Sequence, residues 1–422
     1  MYVNKPQLSY ITALLVQCNR LIVLSNTLER ETKCVCTYTL SYKLYIYSTR
    51  KSKREKAMAV LFLSVTALLL YIVSTVISCP QGDLNALLTF KSSLKEPYLG
   101  IFNTWTGPNC CSNWYGISCD PTTGRVADIN LRGESEDPIF EKAGRSGYMS
   151  GFINPSICKL DSLTTLTIAD WKDISGEIPE CVVSLRSLRI LDLVGNKISG
   201  KIPTDIGNLQ RLTVLNLADN EIWGEIPASI TKLANLKHLD LRNNQVSGEL
   251  PSDFGSLKML SRAMLSRNQI SGSIPSSIAN MYRLADLDLA MNRISGWLPS
   301  WLGNMPVLST LNLDSNMISG ELPSSLLSCD GLGILNLSRN SIEGNIPNVF
   351  GPKSYFMALD LSFNKLKGPI PSSLSSAKYI GHLDLSNNHL CGPIPIGAPF
   401  DRLEGSSFSN NDCLCGNPLR TC

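Results

Sequence analysis

From Leu188 onward, apolar and polar residues alternate in a pattern that returns every 24 positions. The stretch 188–211, LRILDLVGNKISGKIPTDIGNLQR, sets the template LxxLxLxxNxxxGxIPxxxxxLxx. Further units begin at Leu212, Leu236, Leu260, Leu284, Leu308, Leu332, Phe356 and Ile380. Asn recurs at 196, 220, 244, 268, 292, 316, 340, 364 and 388, with Gly and Pro in equally fixed columns that start at Gly200 and Pro203. In Leu191-Asp192-Leu193 two inward leucines flank an outward Asp, which predicts a short strand. Stacking the units predicts one long parallel sheet.

Each fixed residue has a mechanical task. Asn196 ends the strand, where a short amide ties down backbone groups of the turn, and its repetition predicts a buried amide ladder. Gly200 supplies a backbone conformation closed to side chains. Ile202-Pro203 opens the convex side, since proline fixes φ and needs no acceptor, and Ile206, Leu209 and Leu212 return to the core. No unit buries its leucines alone, so only the stack is stable. This register is the signature of a leucine-rich-repeat (LRR) solenoid: a curved α/β right-handed superhelix with its parallel sheet on the concave face. The first units are less regular. Residues 163–187 contain one extra position, with Trp171-Lys172-Asp173 where the Asn should fall. A strand is expected over 125–131, then a charged insertion at 132–147, then a GxIP-like half at 150–155. The count is ten clear repeats plus this degenerate one.

The N-terminal part is unlike the rest. Residues 1–56 hold no repeat and end in a basic run, and residues 57–78 are uncharged. Met58 opens that run, and Val76 and Ser78 suit cleavage before Cys79, so it reads as a secretory signal peptide. An uncleaved membrane anchor is the alternative. Either way the repeats lie outside the cell. Residues 1–56 are compatible with a gene-model artefact. Residues 1–78 hold 10 of the 38 Lys+Arg and 3 of the 35 Asp+Glu, so the remainder has 28 basic and 32 acidic residues, a net charge of −4. That balance lacks the basic stripe of a nucleic-acid binder.

Eleven of the 14 cysteines follow residue 78, mainly in two clusters. Cys79, Cys110, Cys111 and Cys119 precede the repeats, while Cys391, Cys413, Cys415 and Cys422 follow them. Open solenoid ends need caps, and disulfides suit a cap with little core. The expected organisation is an N-terminal cap over 79–123, a solenoid over 124–390 and a C-terminal cap over 391–422. In the N-terminal cap, residues 83–95 have helical spacing at Leu84, Leu87, Leu88 and Leu94, with Asp83 as N-cap. Cys158 and Cys181 occupy nearly equivalent places in successive turns, a placement compatible with a bridge. Cys329 replaces a core Leu and reads as a buried free thiol. No CxxC pair supports zinc, and no metal or cofactor is expected.

Cys79…Trp105…Cys110-Cys111…Trp114-Tyr115-Gly116-Ile117-Ser118-Cys119-Asp120, followed by Thr123-Gly124-Arg125-Val126, resembles the plant-type LRR N-terminal domain. The repeats carry the plant GxIP half that polygalacturonase-inhibiting proteins and receptor-kinase ectodomains share. The cysteine layout resembles the inhibitor family, which implies the pairs Cys79–Cys110, Cys111–Cys119, Cys391–Cys413 and Cys415–Cys422. The segments 131–151 and 412–422 are similar to the plant LRR proteins named for DNA-damage repair and toleration. That name implies a nuclear or plastid role, which an export signal and an acidic chain oppose.

No catalytic constellation is present: no GxGxxG, P-loop, HExxH or GxSxG, no kinase domain and no terminal lipid-anchor signal. The outward strand column, Asp192, Asn216, Asp240, Met264, Asp288, Asn312, Asn336, Asp360 and Asp384, reads as a solvated face rather than a metal or sugar ladder. One local departure stands out. His238, Arg242, Arg262 and Arg267 bring positive charge, Met264 breaks the Asp/Asn habit, and Asp240, Asp286 and Asp288 surround them. With strands about 4.8 Å apart, these residues form one mixed-charge patch, the candidate ligand-binding site. Asn336-Leu337-Ser338 is an N-glycosylation sequon whose glycan would cover the concave face. The expected function is secreted, non-catalytic binding of a protein or peptide. The alternatives are inhibition of a microbial polygalacturonase, with a pectin-degrading enzyme or pectin fragment as partner, and DNA-damage toleration.

Overall fold

The computed structural model describes residues 79–134, 147–377 and 379–422. The readings of 1–56, of 57–78 and of most of the 132–147 insertion lie outside the described residues. Among the described residues no helix is long and apolar enough to cross a membrane.

The leucine columns do what their spacing demands. Leu191, Leu193, Ile198, Ile206, Leu209 and Leu212 are buried, and so are most of their counterparts in later units; the Leu209 column breaks at half-buried Cys329 and exposed Lys353. Among the described residues, twelve strands join in one sheet. Eleven run parallel, from Val126–Arg132 through Ile190–Asp192 to Tyr379–Asp384. Ile117–Cys119 adds an antiparallel edge. The register is regular: Leu215 lies beside Leu191 and Leu239 beside Leu215. Short 3₁₀ helices line the other side; several, such as Ala228–Lys232 and Ser276–Asn280, are capped by the repeat proline.

A second parallel sheet stands where the sequence suggested only a turn into the convex side. Residues after the ladder Asn pair with the next unit, as Gln245–Glu249 does with Gln269–Gly272. The repeat glycine makes this possible. Gly248 has φ +74°, and a Cβ there would stand 2.6 Å from Cγ of Glu225, whose side chain lies over it.

The Asn ladder is the fold's main polar device. Asn220 donates Nδ2 to the carbonyls of Leu193 (2.9 Å), Leu217 (3.2 Å) and Ala218 (3.0 Å), and its Oδ1 accepts the Ile198 N–H (2.9 Å). The pattern continues to Asn411 in the C-terminal cap. In the irregular unit Trp171 takes the Asn's place: its indole N–H reaches the Leu131 carbonyl at 3.0 Å. The neighbouring Asn196 Oδ1 is buried without a partner, beside the unit that carries the extra residue.

The N-terminal helix is Gln81–Ser92, not 83–95. Pro80 caps it, and Asp83 is not the N-cap. Asp83 is buried inside the helix face, where both carboxylate oxygens accept from Arg125 and Oδ2 also accepts the Val126 N–H at 2.9 Å. That pairing clamps the cap to the first solenoid strand. Leu88 is exposed, while Ala86 and Phe90 are buried, and Leu94 leaves the helix for a two-residue strand beside Ser150 and Gly151. Trp105 and Trp114 stack at 5.1 Å between centroids beneath the cap.

Cysteine pairs close both ends. Cys79 joins Cys110, Cys111 joins Cys119, Cys391 joins Cys413 and Cys415 joins Cys422. Cys158 and Cys181, with Cα atoms 5.9 Å apart, link successive convex turns. Cys329 is free and only half-buried; its thiol donates to the Leu326 carbonyl, and burial pushes its pKa up.

Candidate functional site

The concave face is built from strand positions whose side chains cannot enter the leucine core. Its central column behaves differently from the solvated row expected of it. Asp192, Asp240 and Asp288 are nearly closed to solvent. The cause is local: the side-chain oxygen of each Asp or Asn accepts the backbone N–H two residues on. Asn216 does so for Ala218 (3.2 Å), Asp240 for Arg242 (3.1 Å), Asp288 for Ala290 (3.2 Å) and Asp360 for Ser362 (2.9 Å). The short acceptor caps the strand end. Met264 cannot supply it.

Six of the mixed-charge residues lie on three consecutive strands, His238–Asp240, Arg262–Met264 and Asp286–Asp288, and Arg242 and Arg267 follow the first two strands. His238 is beside Arg262, which is beside Asp286; Asp240 is beside Met264, which is beside Asp288. Much of the charge is satisfied internally. Arg242 grips Asp240 with Nε and Nη2 at 2.7–3.1 Å, and this bond raises its pKa. Arg262 Nε sits 3.0 Å from Asp286. Asp288 accepts from the Ser266 hydroxyl at 2.6 Å. His238 is half-buried, with Nε2 at 3.9 Å from Asp240. Burial depresses its pKa below 6.5, and the two arginines add to this against the opposing pull of Asp240. Arg267 differs: it is exposed and has no ion pair among the described residues.

Arg267 belongs to a row that the sequence reading did not single out. The position before each ladder Asn has left-handed backbone: Gly195 at φ +70°, and φ +52° to +56° at Asp219, Asn243, Arg267, Met291, Ser315, Arg339, Phe363 and Asn387, with Asp170 before Trp171 at +61°. Asp and Asn accept this conformation; bulky residues rarely do. Arg267, Met291, Arg339 and Phe363 nonetheless stand in it with exposed side chains. Arg339 lies over the Phe363 ring, 4.1 Å from its centroid. The signal was present as bulky residues in a column where Asp and Asn recur.

Asn336 is half-buried on its strand, and its Oδ1 accepts from the Ser338 N–H and hydroxyl. The histidines do not converge. His238 and His382 lie on the concave sheet six units apart, and His389 stands on the second sheet beside Asp412.

The matching family models follow this architecture. A leucine rich repeat N-terminal domain matches residues 80–120. Leucine rich repeat models match 186–246, 260–281, 283–305, 307–329, 331–352 and 357–377. Over 142 residues the chain is 63% identical to the DNA damage-repair/toleration protein DRT100 of Arabidopsis thaliana, a match covering 33% of this chain and 36% of that protein. It is 31% identical over 140 residues to a polygalacturonase inhibitor of Vitis vinifera, covering 32% and 37%. These matches span little more than a third of either relative. Among solved structures, a plant ice-binding protein superposes with TM-score 0.63 at 29% identity, over 82% of this chain and 98% of that one. The LRR ectodomain of the receptor kinase GASSHO1/SCHENGEN3 from Arabidopsis thaliana, solved with CASPARIAN STRIP INTEGRITY FACTOR 2, superposes with TM-score 0.67 at 30% identity, over 79% and 38%. The chain belongs to the leucine-rich-repeat proteins, as a relative of DRT100, of polygalacturonase inhibitors and of plant receptor ectodomains.

Proposed function

We propose that this chain is an exported, non-catalytic binding protein whose concave face receives an acidic segment of a protein or peptide. The observation that carries the reading is Arg267. It is an exposed cation with no carboxylate partner among the described residues, held in strained backbone beside the Met264 break. Strain of this kind persists where the fold over-determines it and clusters at functional sites. His238, Asp240, Arg242, Arg262, Asp286 and Asp288 form the pre-paired wall beside it, and Met264 offers an adaptable apolar contact. An incoming carboxylate would take the Arg267 fork in bidentate fashion. The five cysteine pairs suit an oxidising compartment. On this reading residues 57–78 are removed and the mature chain starts near Cys79.

The test is affinity capture with the secreted chain from plant extracellular fluid, repeated with Arg267→Glu. Partners retained by the native chain should be lost from the variant at unchanged thermal midpoint. A partner captured equally by both refutes the site. A second reading, inhibition of a microbial polygalacturonase, is favoured by the 31% identity to the grape inhibitor. Assay against fungal polygalacturonases separates it, because only this reading requires the enzyme's rate to fall. The DNA-damage reading finds less support, since the residues after 78 carry net negative charge. A tagged chain found in the nucleus would restore it.

A further inference from the structure

The last two concave strands differ from those before them. Tyr355–Asp360 and Tyr379–Asp384 have six residues each, whereas the strands from Ile190–Asp192 to Ile334–Asn336 have three. The extension adds an exposed margin of Tyr355, Met357 and Tyr379, with fractional exposures of 40%, 53% and 61%. The two tyrosine rings lie 5.6 Å apart. Met357 and Tyr355 lie against Gly333, their Cε and Cε1 atoms 3.6 and 3.8 Å from the place of a Cβ there.

At the other end of the same two strands, Asp360 and Asp384 face each other. Each uses Oδ1 to accept a backbone N–H, from Ser362 and Ser386 at 2.9 Å. Neither has a cation partner among the described residues. Elsewhere in the same column Asp192 meets Arg132 at 2.6 Å and Asp240 meets Arg242 at 2.7 Å. Like charges directly opposite one another are unfavourable, so a cation from outside would relieve this pair. His382 completes the cluster, its ring nitrogen and the carboxylate oxygens lying within 4.8 Å of one another. Arg339 is turned onto the Phe363 ring.

We infer that this end of the concave face is a second docking surface, for an extended partner segment in which apolar side chains accompany a Lys or Arg. The uncompensated carboxylates would take the cationic head. Met357, three residues before Asp360, and the two tyrosines at the strand starts would take apolar side chains farther along the same extended segment. A bare divalent ion is the competing occupant of the Asp360–His382–Asp384 cluster. The aromatic margin, which contributes nothing to holding an ion, favours the peptide. This surface is opposite in sign to the Arg267 row and does not depend on it.

The experiment uses the secreted full chain, enzymatically deglycosylated so that no glycan at Asn336 covers the neighbouring Asp360, and an array of short peptides in which Lys or Glu alternates with Phe, Leu or Ser. The Lys/Phe and Lys/Leu peptides should be retained in a salt-sensitive manner, and the Glu and Lys/Ser peptides should not. Asp360→Asn with Asp384→Asn keeps the acceptor for each serine N–H but removes the charge, and should weaken retention about tenfold. Tyr379→Ser and Met357→Ser, both at exposed positions, should each weaken it several-fold, whereas Arg267→Glu should not weaken it. Equal retention of Lys and Glu peptides, no retention of any Lys peptide, or Asp→Asn variants that bind like the native chain overturns the proposal. Stoichiometric Mn²⁺ or Zn²⁺ binding lost in the double variant, with no preference for Lys peptides, assigns the cluster to a metal and also overturns it.

Discussion

Asn292→Ala should cost about 2–4 kcal/mol and Asn196→Ala about 1 kcal/mol or less, although both delete the same side chain from the same ladder. Asn292 donates Nδ2 to the carbonyls of Leu265, Leu289 and Ala290 at 3.0–3.1 Å, and its Oδ1 accepts the Ile270 N–H at 2.9 Å. Each carbonyl keeps another donor after truncation: Asn268 for Leu265, Asn316 for Leu289 and the Arg267 N–H for Ala290. The Ile270 N–H, in a fully buried residue, loses its acceptor. An orphaned buried donor costs about 1–3 kcal/mol, and the thinned carbonyls add about 1 more. Asn196 makes the same kind of carbonyl contacts, but its Oδ1 has no partner. Its removal orphans no N–H and deletes one unpaired buried acceptor. Asn292→Asp is the sharper probe. It keeps the acceptor for Ile270 but sets an anionic oxygen against three carbonyls, so it should be worse than Ala at neutral pH and recover on acidification, as the buried carboxyl protonates. Chemical denaturation of the disulfide-intact chain, followed by tryptophan fluorescence, measures all three. Equal costs at 196 and 292, or a harmless Asn292→Asp at neutral pH, would refute the ladder argument.

Further outcomes follow from the concave face. His238 has a folded pKa below its ordinary 6.5, so the unfolded chain takes up its proton first on acidification. Its contribution is therefore complete above pH 6.5 and is lost as pH falls from there through the folded value; His238→Gln should flatten the thermal midpoint across that window. Arg267→Gly, at φ +56°, should hold or raise stability by up to about 1 kcal/mol by relieving the left-handed penalty, while weakening capture of an acidic partner; a marked loss of stability in calorimetry would contradict the strain argument. Met264→Asn should restore the strand-end acceptor that its column neighbours supply and raise the denaturation midpoint, by about 1 kcal/mol; an unchanged or lower midpoint means that the apolar contacts of Met264 matter more.

What was legible in the sequence tracks how each residue earns its conformation. The strand leucines, the ladder Asn and the repeat proline each have one local solution, so their period sufficed to place them. The second sheet was not legible. It has one buried residue per strand, such as Val246 or Ile270, between polar neighbours, and no alternation marks it. Asp83 looked like a helix cap because Asp is a good one. Its distant partner, Arg125, decides otherwise, and a partner 42 residues away leaves no local signal. Trp171 was read as an interruption of the ladder, yet its indole N–H does the work of the missing amide donor.

The concave patch shows why composition alone misreads such a face. The Asp/Asn column was taken for a solvated surface, but its members are fixed by the backbone: each caps the strand end two residues on. A residue chosen by its own turn has little freedom to suit a ligand. On the proposed reading, specificity resides in the flanking positions, where His238, Arg262 and Asp286 occupy one column and Arg267, Met291, Arg339 and Phe363 another. The first column is neutralised in place by the Arg262–Asp286 pair, which at this exposure has small energetic value. The second holds exposed cations and apolar groups in backbone that Asn or Gly would adopt at lower cost. The cost of retaining bulky residues in that second column favours it, on the proposed reading, as the reader of a partner.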